Sequence, residues 1–412
     1  MSQSGRNSNV ARLACAALIV CVSGGGDWRQ FRGNDNTAVS KETGLPRTFD
    51  LETGRNVAWK APLPGRGPSS PIVVSGRVLV TSSSGAHQDR LHVSCFHAGS
   101  GKLLWHRQFW ATGHTTVNPF SAVACPTPAS DGRRVFALYS SNDLACFDLE
   151  GNLQWLRGLS YESPSTRNDA GMSSSPLVVG RTVVVQLENQ GQSFALGLEA
   201  ASGATRWQIP REQAGIWSSP TVLRGSGADR DVVLMQGRSA LSAHDPETGR
   251  TLWTHPAGCD TIGSVTTCGQ RIYLPAYGLH ALLSESSGRR VQALWYQPRL
   301  RLDNPSPVAD GNRVYVVKPP GILAGIDAGD GHVAWQLRLQ GPFWATPILA
   351  DGHLYVVNYD GLVQVVQPGQ EGKLVGGGRL DGGILATPAA ADGALYFRND
   401  ATLWKIALRA VQ

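Results

Sequence analysis

The sequence predicts an all-β fold, an eight-bladed β-propeller of four-stranded blades, and three observations carry that prediction. A turn motif ending in tryptophan recurs at Trp105, Trp155, Trp207, Trp253, Trp295 and Trp335, after a first copy of the tryptophan at Trp59, with steps of 40 to 52 residues. A proline-led strand, as in "SSSPLVV" and "WSSPTVL", repeats with the same period at Pro71, Pro128, Pro176, Pro220, Pro307, Pro347 and Pro388, and "GSVTTCG" around Val265 fills the one gap. Repeats of this length mean a solenoid, a propeller or an array. The chain ends then choose among them. The last unit, "GGILATPAAADGALYFRNDATLWKIAL", stops after its third strand, whereas "RNVAWKAPL" near the start is a Trp strand with no blade of its own. Pairing the two closes a ring and removes the exposed sheet edges.

Each unit reads in the same order. The proline-led strand comes first, then a turn with Gly, then a β-rich run such as "RVLVTS", "TVVVQL", "RIYLPA" or "HLYVVN". A shorter run follows, and the turn motif leads into the Trp strand. In "SAHDPETGRTLWTH" Asp245 can hydrogen-bond back into its own turn, Gly249 can take φ > 0, and Trp253 follows four residues on. Helical periodicity is nearly absent. Composition agrees: 48 Gly, 24 Pro and 12 Trp with only 17% charged residues suit short strands, tight turns and aromatic wedges.

The net charge of +6 comes without a Lys/Arg run or a basic helix, so no nucleic-acid partner is expected. Residues 1–26 read as an export signal: Arg6 and Arg12 precede the apolar run "LACAALIVCV", which small residues follow. That run is too short to span a bilayer. Val20 stands where a lipobox wants a small residue, which argues against a lipid anchor at Cys21. Residues 27–55 form an N-terminal extension and 56–412 the propeller. Five cysteines remain after the signal, an odd number with no metal-knuckle or redox spacing, and Cys259 and Cys268 lie too far apart in an extended segment to pair. Buried free thiols are expected.

The repeat D-x-x-T-G-x-x-x-W, with its preceding S-P strand, resembles the PQQ-like, quinoprotein-type β-propeller repeat over roughly residues 27 to 408. The segments "DWRQFRGNDN", "GLPRTF" and "NVAWKAPLPG" are similar to secreted bacterial members that begin with W-x-x-F-R-G. The resemblance implies that the repeat tryptophans dock between neighbouring blades, with Trp59 serving the closure. It also raises a quinone enzyme, in which the central funnel would hold PQQ and calcium on acidic and amide ligands beside a catalytic Asp, a stacking Trp and an adjacent-cysteine disulfide. The chain has no Cys-Cys dipeptide and no C-x-x-C-H. G-x-S-x-G, H-E-x-x-H and P-loop motifs are missing too, so no catalytic residue, metal ligand or cofactor is assigned, and PQQ with calcium stands as the alternative. "DAGDG" (327–331) reads as turn chemistry and lacks the terminal Glu of a calcium loop. His87, His92, His97, His106 and His114 are expected on separate strands and loops. Runs such as "SND" (141–143) and "RND" (398–400) are expected to be turn formers.

A fold of this kind says little about function by itself, but topology narrows the search. The Asp-Gly turns emerge on one face, and the crossing loops emerge on the other, mixing aromatics, amides and both charge signs. Trp217, Asn304 and Trp344 stand just before proline-led strands and are expected to rim the funnel. Asn118 and Phe120 belong to the longest crossing loop, and Glu188, Lys318 and Tyr359 end second strands nearby. The expectation is an exported monomer, periplasmic or extracellular, that binds another protein, a peptide or a glycan on this face.

Overall fold

The second and third strands of each repeat are largely apolar and buried along most of their length, as in Thr182–Leu187, every residue of which is buried. Such strands must be covered on both faces. Outer strands alternate instead: Thr205–Pro210 buries Trp207 and turns its neighbours outward. A ring of face-packed sheets satisfies both patterns, and the computed structural model has that form. It describes residues 26–166, 168–226, 230–259, 262–285 and 288–408; the expected export signal, Cys21 included, lies outside the described residues apart from Gly26.

Eight four-stranded antiparallel sheets make up the chain. Blades 1 to 7 each use four consecutive strands, over 72–110, 129–158, 177–210, 221–256, 266–297, 308–338 and 348–379. Blade 8 takes Ala389–Ala391, Ala394–Arg398 and Thr402–Ala407 from the end of the chain and its outer strand, Val57–Pro62, from the beginning. Lys60 pairs with Trp404 and Pro62 with Thr402. The one helix among the described residues is the single turn Leu159–Glu162.

The docking tryptophans link blade to blade by one repeated device. Each indole reaches the outer turn of the next blade, and six of the seven donate Nε1–H to a carbonyl there. Trp59 reaches Ala98 at 2.9 Å, Trp105 Leu149 at 2.9 Å and Trp155 Ala200 at 3.1 Å. Trp207 reaches Pro246 at 2.9 Å, Trp253 Gly288 at 3.0 Å and Trp295 Ala328 at 3.1 Å. Trp335 packs over Gly372 in the same way, but its Nε1 has no partner. In the fourth blade Asp245 Oδ1 accepts the amides of Glu247 and Thr248, and Gly249 takes φ 71° beneath Trp207. The 327–331 turn follows the same design, with Asp327 capping the Gly329 amide.

In blades 1 to 6 the third strand carries a small residue opposite the blade's own tryptophan, Cys95, Cys146, Gly197, Ala243, Ala281 and Gly325, whereas Trp59 of blade 8 faces Lys405. A Cβ added at Gly197 would stand 2.1 Å from the Trp207 ring. Cys95 and Cys146 are thus small apolar spacers, and burial pushes both thiols up to about 12. Cys259 and Cys268 are unbridged, like the other described cysteines.

The extension is an integral part of the ring. Trp28 pairs with Val73 of blade 1, Arg29 O accepts from Ser130 of blade 2, and Gln30 Oε1 from Val178 of blade 3. Asn36 reaches Val222 of blade 4, Val39 pairs with Leu349 of blade 7, and Ser40 donates to Ala390 of blade 8. Arg32, Asn36 and Ala38 take left-handed φ of 62°, 57° and 58° to make these turns. Blade 7 has no docking tryptophan: its outer strand, Lys373–Arg379, carries Gly376, Gly377 and Gly378 instead. Phe49 of the extension fills the gap, its ring 2.7 Å from where a Gly378 Cβ would stand and 6.4 Å from the Phe397 ring of blade 8.

Candidate functional site

The proline-led strands line the axis, and the residue before each proline decides what the axis is made of. Proline disfavours the helical region for its predecessor, so each of those residues is extended. Those residues are Ser70, Thr127, Ser175, Ser219, Ser306, Thr346 and Thr387, with Ser264 before Val265 completing the eight. Their hydroxyls form a belt. Each backbone amide donates to the hydroxyl of the next blade, from Ser70 to Thr127 at 2.9 Å through to Thr346 to Thr387 at 3.0 Å. Seven links close this way. At the eighth, between blades 8 and 1, the buried Ser70 Oγ has no partner.

Above the belt, on the loop face, lies a funnel of about 170 Å³. Trp217, Trp344, Asn304, Asn118 and Phe120 all line it, together with the belt hydroxyls, Ile262, Leu385 and Phe31 of the extension. Phe120 and Trp344, from loops far apart in sequence, stack with centroids 5.8 Å apart. Asn118 Oδ1 accepts the Phe120 amide at 2.9 Å and fixes that turn. The structure therefore brings five of the eight singled-out residues together. Beneath the funnel sits Arg32, fully buried, donating to Thr266 Oγ1, Val265 O and Thr221 Oγ1. Burial lowers its pKa to about 9.

The other three lie elsewhere. Glu188 is not a funnel residue: only 2% exposed, it pairs with Arg211 Nε at 2.5 Å and accepts from Gln186. It bridges blades 3 and 4, since Arg211 also donates to Ser242. Burial raises its carboxyl, and Arg211 opposes that shift. Lys318 lines a neighbouring cavity between blades 6 and 7, beside Phe343, and that cavity shares Asn304 and Trp344 with the funnel. Tyr359 lines a cavity at the blade 8 to blade 1 seam.

Two runs expected to be simple turns do more. Asp143 is fully buried and accepts from the Thr112 amide at 3.0 Å, Thr112 Oγ1 at 2.6 Å and Ser141 Oγ at 2.7 Å, pinning the longest crossing loop. Arg398 is also fully buried, at the seam. His92 and His106 sit on neighbouring strands with Nδ1 and Nε2 3.0 Å apart, and burial lowers His92 to about 4. No group of three or more His, Cys, Asp or Glu with metal-binding geometry occurs among the described residues.

The quinone alternative can be tested on the donor set. Calcium takes six to eight oxygens and favours carboxylates among them. The described funnel lining offers hydroxyls and the amides of Asn118 and Asn304 but not one acidic side chain. The residues present do not fit a quinone–calcium pair.

Fold, docking tryptophans and axial funnel together define a PQQ-like repeat propeller. The chain belongs to the PQQ_2 family, described as outer membrane protein assembly factor BamB, which matches residues 22–208, 89–267 and 281–375. Among curated proteins it is similar to outer membrane protein assembly factor BamB of Yersinia pestis, 24% identical over 339 residues, covering 78% of this chain and 79% of that one. The Burkholderia pseudomallei protein of the same name is 26% identical over 319 residues, covering 72% and 75%. Among solved structures, BamB from Moraxella catarrhalis superposes with a TM-score of 0.62 at 19% identity, covering 86% of this chain and 98% of that one. Quinohemoprotein alcohol dehydrogenase from Comamonas testosteroni superposes with a TM-score of 0.70 at 12% identity, covering 93% and 81%. At these identities the superpositions show the fold.

Proposed function

We propose that this chain is an exported, periplasmic scaffold that binds another protein through its loop face, in the process its relatives' name describes, outer membrane protein assembly. One observation carries the reading. The exposed large aromatics Trp110, Phe120, Tyr161, Tyr277 and Tyr296, 48% to 82% accessible, all sit at the loop-face ends of strands or in the loops between them. Large exposed aromatics on one face mark an interaction surface, and Tyr and Trp are the residues that anchor such interfaces. The loops that carry them are held by built contacts such as Asp143 on Thr112, so the face is pre-organised.

The test compares crosslinked complexes from periplasm expressing the wild type, a Trp110→Ser/Tyr161→Ser/Tyr277→Ser variant, and a Leu103→Ser control on the Asp-Gly face. Loss of a defined complex in the triple variant alone supports the reading. Retention in the triple variant, or loss in the control, overturns it. A calcium-dependent spectral shift of added PQQ with dye-linked alcohol oxidation would return the enzyme alternative to first place.

A further inference from the structure

The hydroxyl belt breaks where the ring closes, and two buried polar groups at that seam lack partners. The belt lacks its eighth link there, leaving the buried Ser70 Oγ unpartnered. Arg398 crosses the seam from blade 8 to blade 1. Its Nη1 donates to Ser69 Oγ at 3.1 Å and Thr81 O at 2.6 Å, and its Nε to Asn399 O at 2.9 Å. All three acceptors are neutral, and Nη2 has no partner at all. Among the described residues Arg398 has no ion pair, whereas the largely buried Arg211 is matched by Glu188. A buried charge is ordinarily paired, because leaving it unpaired is costly.

Charge counting at the seam gives the excess. Arg66 pairs with Asp400 at 3.1 Å and Asp400 also acts through space on Arg398, so two guanidiniums share one carboxylate and one positive charge is left over. A cavity of about 190 Å³ lies against these residues, walled by Arg66, Arg398, Tyr359 and Phe120, with Asp400, already engaged by Arg66, as the one acidic side chain of the described lining. Arg66 uses Nε on Asp400 and Nη2 on Pro119 O, which leaves Nη1 free on a side chain 46% exposed at the cavity mouth. The Tyr359 hydroxyl has no protein partner among the described residues and lines the same cavity. Pro68, Phe120 and Leu385 line this cavity and the funnel alike, so the two spaces adjoin along a shared apolar wall.

We propose that the seam binds a small organic monocarboxylate with a flat apolar body. The carboxylate accepts from Arg66 Nη1 and the Tyr359 hydroxyl, the buried Arg398 supplies the balancing charge from behind, and the body runs along Phe120 into the funnel. One unbalanced charge selects a monoanion; a phosphate dianion would overcompensate it and find no apolar contact. The site stands independently of the partner-binding reading.

The test is calorimetric titration of the purified protein with 3-phenylpropionate, its amide 3-phenylpropionamide, and inorganic phosphate, with thermal shifts in parallel. The acid is expected to bind once per chain at millimolar concentration or below, more weakly as salt is added. Loss of the charged hydrogen bonds should make the amide at least about tenfold weaker. Arg66→Gln and Tyr359→Phe, both on partly exposed residues, should each weaken the acid, and Arg66→Lys should recover most of the loss from Gln. Equal binding of acid and amide overturns the proposal. So does absence of saturable heat with the acid, phosphate binding as tightly as the acid, or an Arg66→Gln variant that binds like wild type. Because the readout is a small molecule and none of these variants is in the crosslinking set, either proposal can fail while the other stands.

Discussion

Trp207 and Trp335 are a matched pair that isolates one hydrogen bond. Both are 7% exposed, both face a glycine on their own third strand, and both lie over the turn glycine of the next blade, Gly249 and Gly372. They differ in one respect: Trp207 Nε1 donates to Pro246 O at 2.9 Å, and Trp335 Nε1 is buried without a partner. Shrinking either indole to a phenyl opens a similar gap, costing ~1–2 kcal/mol in both. Trp207→Phe also loses a hydrogen bond with a net value of ~1 kcal/mol and leaves the carbonyl of Pro246 unpaired. Trp335→Phe removes a donor that was already unpaired, which returns up to ~1–3 kcal/mol. Trp207→Phe should therefore be the less stable variant by ~2 kcal/mol. Urea unfolding followed by far-ultraviolet circular dichroism, with the slope compared between variants, measures that difference. Equal midpoints, or a larger loss in Trp335→Phe, would refute the reasoning that these indole hydrogen bonds hold blade to blade.

Two further outcomes follow from the same packing. Phe49→Ala should cost ~3–5 kcal/mol despite lying outside the repeats, because it empties the docking position over Gly378; an effect under ~1 kcal/mol in the same urea assay would show that the extension is only draped on the ring. His244 is buried and bonded to Gly249 O and Ser242 Oγ, and burial depresses its pKa to about 4. The folded state then binds fewer protons than the unfolded one, so this contribution is complete above pH ~6.5 and is lost as pH falls toward 4. The loss amounts to at most ~3 kcal/mol. His244→Gln should flatten the pH dependence of stability in that window, and an unchanged slope would count against the assignment.

The fold was legible because its signals are local and repeated. A tryptophan, an Asx turn and a proline-led strand recur at one period, and the two incomplete end units dictate how the ring closes. The funnel was legible to the extent that Trp217, Asn304 and Trp344 each stand four residues before the start of an inner strand. Phe120 and Asn118 arrive there because Asp143 pins their loop, a contact across 31 residues that no local pattern announces. Glu188 looked like a loop-face carboxylate because its partner Arg211 lies 23 residues away and reaches it only after the blade has folded. Phe49 could not be foreseen as a docking residue, since what identifies it is an absence in blade 7, more than 300 residues later.

The belt shows the limit most clearly, because its signal was present and read for another purpose. A Ser or Thr before each inner-strand proline serves first as a strand marker. Its chemistry appears only when eight copies face one axis and seven of the hydroxyls take a neighbour's amide. A repeat supplies seven equivalent junctions without effort, but a ring also needs one junction between its first and last units. There the chain meets itself out of sequence, with Val57–Pro62 completing blade 8 and Arg398 crossing toward Ser69. Departures from the repeat collect at that junction for a structural reason. Free donors and an unbalanced charge occur with them at Ser70 and Arg398, so in a closed propeller the seam is one place where a ring of equivalent blades acquires a distinguishable site.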